Sequence, residues 1–378
     1  MTVTPALKVV FYRAFPQRLD FRMDVTHSLA SRFFSINIFV ELRSISGLTG
    51  YGECVPRFYV TGETPESVIS AVSDMMPYLT RQSFSCPGEV LTALDDIGLS
   101  DQAARNPAAM CALELAFLDL AGKHWNLPVL DILGINREEK ALEYSLVVPL
   151  LPIEQLEKFL RYTSTFHFKH IKVKVNAEDP SGRVEKVHSF LSHEAEIRVD
   201  ANCSWNRTEA AEFIHSLAGM GVVSVEQPLS ADDLEGMAEL PRPGGMLITL
   251  DESICNPSDV ERAASLGACD VVNVRISKCG GLLGVLRVIK AANANGLAFQ
   301  LGSQVGESCI LSCAGAHLAA GIPDFAWLEG CYGTHLLNED LGKKPYQFGY
   351  GGMFIPPEGP GLGVDVDPER MYGSLKMS

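Results

Sequence analysis

The 378-residue sequence predicts an α/β protein built on a (β/α)8 barrel and preceded by a smaller α+β block. Two observations carry this prediction. Between residues 143 and 329, eight short β-like runs begin 24 to 28 residues apart, with helix-like stretches between them. Strand–helix alternation at that period implies parallel βαβ units, and eight in succession imply a closed barrel. Before residue 130, strands are instead followed by a run of helices, an α+β order. An open doubly wound sheet would want a GxGxxG turn after its first strand, and the sequence has none.

Residues 1–130 form the α+β block. MTVTPALKVVFYRAFPQRLDF lacks a charged start, a long apolar run and a small-residue cleavage site, so it reads as a structural strand. Phe34–Leu42 (FSINIFVEL) alternates as a strand, and Gly47, Gly50 and Gly52 then punctuate a hairpin. From Thr64 to Leu120 the pattern turns helical. PAAMCALELAFLDLAGKHW begins with Pro107 and runs on strong helix formers.

Residues 131–330 form the barrel, with strands at 143–148, 171–175, 197–200, 222–226, 247–251, 271–276, 297–301 and 325–329. Residues 331–378 are rich in Gly and Pro. Their apolar anchors Phe348, Tyr350, Met353, Phe354 and Ile355 predict an extended segment packed on another element.

Composition narrows the function. The chain is 47% hydrophobic and 20% charged, enough for a large core and against disorder. A net charge of −15 disfavours nucleic acid and anionic membranes as partners, since both want clustered Lys and Arg. No run of 18 apolar residues exists, so no membrane span is expected. The ten cysteines form no CxxC and lie mostly in apolar runs, which predicts buried thiols in a reducing cytoplasm.

The informative residues are charges at strand ends. Lys172 and Lys174 interrupt the second barrel strand; Asp200, Glu226 and Asp251 end the third, fourth and fifth; Lys278 follows the sixth. Successive spacings from Lys174 are 26, 26, 25 and 27, so the register holds over four units. In a parallel barrel these strand ends meet at one mouth, where barrel active sites lie. Three converging carboxylates repel one another unless a cation sits between them, and an all-oxygen set suits Mg2+, with Mn2+ as a substitute. No His or Cys stands at a zinc-like spacing. Taken singly, each acid could be a helix N-cap; three in succession flanked by lysines argue otherwise. Lys172 and Lys174, two apart on a strand, share a face, and crowding of their ammonium groups is expected to lower at least one pKa. Lys278 would face them across the mouth.

IKVKV, VDANCSW, VEQPL, LDESI and SKCGG, in this order and spacing, resemble the enolase superfamily, and within it the muconate lactonizing enzyme subgroup with lysines on both faces of the site. The resemblance extends to GYGECVPRFYVTGET, the CALELAFLDLAGK helix and the C-terminal return. It implies a modified TIM (β/α)7β barrel, lacking the eighth outer helix, under an α+β capping domain. It implies that Asp200, Glu226 and Asp251 hold Mg2+, that Lys174 and Lys278 are the acid/base pair, and that Lys172 binds the substrate carboxylate. Asn202 is a candidate for the metal shell or a substrate oxygen, and Glu252 for pairing with Lys278. Glu307 resembles the subgroup's position near the substrate carboxylate. Arg57, Tyr59 and Thr61 fall in a cap loop that closes over substrate in the family. A homo-oligomer is expected.

The implied reaction removes the α-proton of a small carboxylate to give an enediolate, followed by epimerisation, racemisation or cycloisomerisation. Muconate cycloisomerase-like chemistry, dipeptide epimerase, o-succinylbenzoate synthase and N-acylamino acid racemase all stay open. The dipeptide epimerases' Asp-x-Asp at the eighth strand is missing: this chain has Asp324-Phe325-Ala326 and Glu329. A sugar-acid dehydratase fits less well, because its relatives carry His where Lys278 stands. A non-catalytic binding barrel fits least, because all the central charged positions are intact.

Overall fold

The computed structural model describes residues 5–27, 30–138, 140–191 and 193–373. The first four positions of the predicted N-terminal strand and residues 28 and 29 lie outside this set. Three antiparallel strands open the cap: β1 (Val9–His27), β2 (Ala30–Ser44) and β3 (Thr49–Cys54), in the order β1-β2-β3. Helices α1 (Pro65–Thr80), α2 (Pro87–Gly98) and α3 (Pro107–Trp125) follow. α3 is buried on every side from Ala108 to Gly122, which is why its sequence is apolar all round rather than striped. It lies directly on the backbone of β3. A Cβ added to Gly52 would stand 1.9 Å from the Ala112 carbonyl oxygen, and one on Gly50 2.4 Å from that of Ala116. Glycine is therefore required at both positions by close approach.

Seven parallel strands run in sequence order around the barrel: β4 (Leu146–Val148), β5 (His170–Lys174), β6 (Glu196–Asp200), β7 (Val222–Glu226), β8 (Leu247–Leu250), β9 (Val271–Val274) and β10 (Ala298–Leu301). The segment at 325–329 closes the ring. Ala326 N–H donates to the Phe299 carbonyl at 2.9 Å and Glu329 N–H to that of Leu301 at 2.8 Å, while Ser145 N–H reaches the Leu328 carbonyl at 2.7 Å. A helix follows each of the first seven strands, the last being Cys309–Gly321. After the eighth segment the chain leaves the barrel and returns to the cap. This is the (β/α)7β architecture.

The first predicted strand, 143–148, splits in two. Leu142–Glu143 pairs with Met353–Phe354 of the C-terminal segment, and only Leu146–Val148 joins the barrel. The returning tail captures the first half through its own backbone: Tyr144 N–H donates to the Gly352 carbonyl at 2.8 Å. Further along, Gly361 N–H bonds the Leu127 carbonyl, Gln17 Nε2 bonds the Arg370 carbonyl, and the Tyr51 and Tyr372 hydroxyls meet at 2.9 Å. The tail thus straps cap to barrel; of its predicted apolar anchors Phe348 and Phe354 are buried, whereas Tyr350, Met353 and Ile355 are exposed, because backbone hydrogen bonds rather than these side chains hold that stretch. All ten cysteines are unpaired, and seven of them are buried. No helix of the described residues is long and apolar enough to cross a membrane.

Candidate active site

The barrel interior is polar, and that fixes the acids at its mouth. Arg198 is buried on β6, where its guanidinium donates to Gln300 Oε1 at 2.7 Å and Ser145 Oγ at 3.0 Å. Gln300 Nε2 passes on to Glu226 Oε2 at 2.9 Å, and Asn273 Nδ2 reaches Glu226 Oε1 at 2.7 Å. Glu226 is thus oriented from below by two amides, each donating to a different carboxylate oxygen.

Strand register places the next layer. Lys174, Asp200 and Glu226 are direct partners across β5, β6 and β7. Lys172 and Lys174 share a face, as period two requires, and both are buried. Lys172 Nζ lies 3.2 Å from Glu226 Oε2, 3.5 Å from Asp200 Oδ2 and 2.6 Å from Glu329 Oε2. Two of the three predicted ligand acids therefore converge on one point. Lys174 Nζ donates to Asp200 Oδ2 at 2.9 Å and to Asn202 Oδ1 at 2.7 Å. Asn202 then donates from Nδ2 to Glu252 Oε1 at 3.0 Å.

Asp251 sits just past β8, held by Gln227. Gln227 Oε1 accepts from the Asp251 N–H at 2.9 Å and the Ser253 N–H at 3.3 Å. Gln227 itself has φ +40°, and Asn202 and Cys203 have +43° and +61°. Non-glycine residues in this region mark sites where surroundings hold the backbone in a sparsely populated state. One Asp251 oxygen bonds Arg275; the other accepts from Lys278 Nζ at 2.8 Å. Lys278 is fully buried and also donates to the carbonyls of Asp251 and Asn273 at 2.6 and 2.9 Å.

Burial and charge pull the titrating groups apart. Burial opposes the Lys172 charge, but Glu226, Glu329 and Asp200 outweigh it and hold its pKa above the ordinary lysine value. The expectation that crowding lowers one of this pair is thus not met at Lys172, because acids rather than its neighbouring lysine set its field. Burial instead lowers Lys278. Burial also pushes Glu252 up to about 7, with the Asp200 charge adding to it.

A cavity of about 390 Å³ lies between barrel mouth and cap, within the usual range of about 300–1,000 Å³ for ligand pockets. Of the predicted residues, Lys172, Lys174, Asn202, Glu252 and Tyr59 line it. Asp200, Glu226, Asp251 and Lys278 form the layer beneath. Arg57 and Glu307 do not line it. Arg57 braces a loop that does, donating to the Val305 carbonyl at 2.6 Å and to Ser35 Oγ at 3.1 Å. Glu307 turns its carboxylate onto the Gln304 N–H at 2.6 Å, and burial pushes its pKa up to about 8. Glu252 bonds Asn202 and not Lys278.

Three residues of the site, Glu329, Arg275 and Asn273, are not among the predicted site residues, although Glu329 is noted at the eighth strand. Glu329 ends the eighth strand, as Asp200, Glu226 and Asp251 end theirs, so the same rule finds it. Arg275 and Asn273 alternate as polar positions in an otherwise apolar strand, a signal readable by period.

The carboxylate set fits a hard divalent ion. Asp200, Glu226 and Asp251 offer only oxygen, and all three are buried at the ends of adjacent strands. Their charge is met in this chain by Lys172, Lys174, Lys278 and Arg275, and no group of three His, Cys, Asp or Glu stands ready-made among the described residues.

Comparison with known proteins gives the family. Residues 154–370 match the enolase C-terminal domain-like family and residues 14–134 the mandelate racemase/muconate lactonizing enzyme N-terminal domain. The chain is 30% identical to muconate cycloisomerase 1 of Rhodococcus opacus over 88% of its own length and 89% of that protein's. It superposes on the crystal structure of the N-succinyl Arg/Lys racemase from Bacillus cereus with a TM-score of 0.87, at 26% identity, covering 97% of each chain. A dipeptide epimerase from Methylococcus capsulatus, solved with Mg and the dipeptide L-Arg-D-Lys, gives 0.84 at 26% identity over 95% of this chain and 99% of that one.

Proposed function

The chain belongs to the mandelate racemase/muconate lactonizing enzyme family of the enolase superfamily and is an isomerase; on that premise we propose that it removes the α-proton of a small carboxylate with Lys174 and Lys278 as the acid/base pair. The observation carrying the proposal is the Lys172–Lys174 pair on β5 in register with Asp200 and Glu226, with Lys278 following β9, four strands away around the ring.

Lys174 is at the cavity floor, aimed by Asp200 and Asn202. Asp200 and Asn202 fix where its amino group stands, within reach of a substrate carbon in the cavity. Lys172, kept charged by three acids, is suited to holding a substrate carboxylate rather than to taking a proton. Lys278 is suited to act as a base, because burial favours its neutral form. Asp251 covers it, so its access to substrate requires Asp251 to let go.

Asp200, Glu226 and Asp251 would hold Mg2+. The ion would supply stabilisation of the negative charge that develops on the substrate carboxylate. Reprotonation from the second lysine gives epimerisation or racemisation; the same groups acting on an unsaturated acid give cycloisomerisation.

The test is solvent deuterium incorporation at the α-carbon of N-acyl amino acids and dipeptides, with and without Mg2+, followed by proton NMR. Exchange that needs the metal supports the proposal. Exchange unaffected by chelation, or its absence across both substrate classes and across muconate-type lactones, overturns it.

A further inference from the structure

The cavity has two unlike ends. One is the lysine floor. The other is a wall of rings: Tyr162, Phe166 and Phe168 from the stretch between β4 and β5, and His335 and Phe348 from the returning C-terminal segment, with Tyr332 of that segment standing between the two ends, against Phe348 and near Glu329 and Lys172. Phe168 meets Phe348 edge-on at 5.3 Å, His335 stacks on Phe348 at 4.7 Å, and Phe166 stacks on Phe168 at 5.8 Å. These contacts brace the wall, so it is formed before any ligand arrives.

Charge accounting separates the ends further. The acids lining the cavity are Glu252 and Glu329, both at the lysine end. Glu329 is engaged by Lys172 at 2.6 Å and Arg198 at 3.2 Å, and Glu252 by Asn202. The ring wall contributes no carboxylate, and Asp324 lies outside the cavity lining. A substrate ammonium placed there would lose water without gaining a counter-ion. A second carboxylate fares little better. Arg275 stands at the lysine end, beside Asp251 and Gln304, and Arg22 at the rim is exposed, with its Nε on the Leu337 carbonyl.

Resting on the carboxylate chemistry proposed above, we infer that the substrate is a monocarboxylate whose remote end is an uncharged apolar or aromatic group, seated against this ring wall. The strap that closes the fold then also sets specificity, since His335 and Phe348 of the wall come from it.

The test uses the Mg2+-loaded protein and five acids: N-benzoylalanine, N-acetylalanine, N-succinylalanine, L-alanyl-L-alanine and N-(trimethylglycyl)alanine. Binding is read by calorimetry and α-proton exchange by NMR, separately. Seating one ring should favour the benzoyl over the acetyl compound by about 10- to 100-fold in affinity, the scale of burying one aromatic side chain. Phe348→Leu and the surface-exposed Tyr162→Ser should each shrink that ratio several-fold. Tighter binding of the dipeptide, the succinyl or the trimethylammonium compound overturns the inference, and exchange of that compound would leave the lysine chemistry standing. The benzoyl preference without exchange of any compound supports the ring wall and counts against the proton transfer. Equal binding of benzoyl and acetyl compounds, or no binding at all, overturns the inference.

Discussion

Glu329→Gln removes the charge that Lys172 and Arg198 share, and the structure sets how much that should cost. The carboxylate accepts from Lys172 at 2.6 Å through one oxygen and stands 3.2 Å from Arg198 through the other, with all three side chains buried. Removing one partner of a buried ion pair costs about 3–5 kcal/mol. An amide keeps the volume and one acceptor, and Lys172 retains Glu226 and Asp200, so about 2–3 kcal/mol is expected. Lys172→Met strips three carboxylates of their shared donor and should cost the full range of about 3–5 kcal/mol. In the double variant neither charge is left facing an absent partner. Its loss should fall short of the sum by about 1.5–3 kcal/mol. Urea unfolding at neutral pH, with all four slopes compared, measures this cycle. Additivity within about 0.5 kcal/mol would refute the claim that this pair anchors the cavity floor.

Other consequences can be measured in the same preparations. Gly52→Ala should destabilise by at least about 1–3 kcal/mol in urea unfolding, because its Cβ would meet the Ala112 backbone rather than a movable side chain. Burial pushes Glu114 up to about 8, against an ordinary value of 4.5, so the folded chain keeps a proton that the unfolded chain releases. Stability should therefore fall as pH rises between 4.5 and about 8, and Glu114→Gln should flatten that fall, which for this one group is on the order of 1.4 kcal/mol per pH unit inside the window. Mg2+ at about 100 times its Kd should stabilise the protein by about 2.7 kcal/mol in thermal unfolding, and Asp200→Asn or Glu226→Gln should remove most of that gain.

The barrel was legible because its period is long and repeated, and because charged residues in apolar strands stand out. That rule located Lys172, Lys174, Asp200, Glu226, Asp251 and Lys278 in one mouth. Glu329 obeys it too, at the end of the eighth strand, where the missing Asp-x-Asp drew attention away from the acid that is present. The split of the first strand was not legible, since it depends on a tail some 200 residues away capturing Leu142–Glu143. Arg57 and Glu307 looked functional from their loops. Their side chains turn into the protein because Val305 and Gln304 offer backbone partners, a choice that only the tertiary structure makes. The ring wall was unreadable for the same reason: Phe166 and Phe348 become neighbours of one cavity only through the strap.

The central claim is that two lysines serve opposite faces of one carbon, and stereochemically resolved exchange tests it most directly. Each enantiomer of an exchanging N-acyl amino acid is incubated in deuterium oxide with Mg2+ and either Lys174→Ala or Lys278→Ala, and proton NMR follows the α-position. Proton transfer needs a group within about 2.6–3.2 Å, so a lysine on one face cannot serve the other. Lys278→Ala should stop inversion while one enantiomer still gains deuterium; Lys174→Ala should do the same for the opposite enantiomer. Equal exchange of both enantiomers by both variants would contradict the two-lysine account.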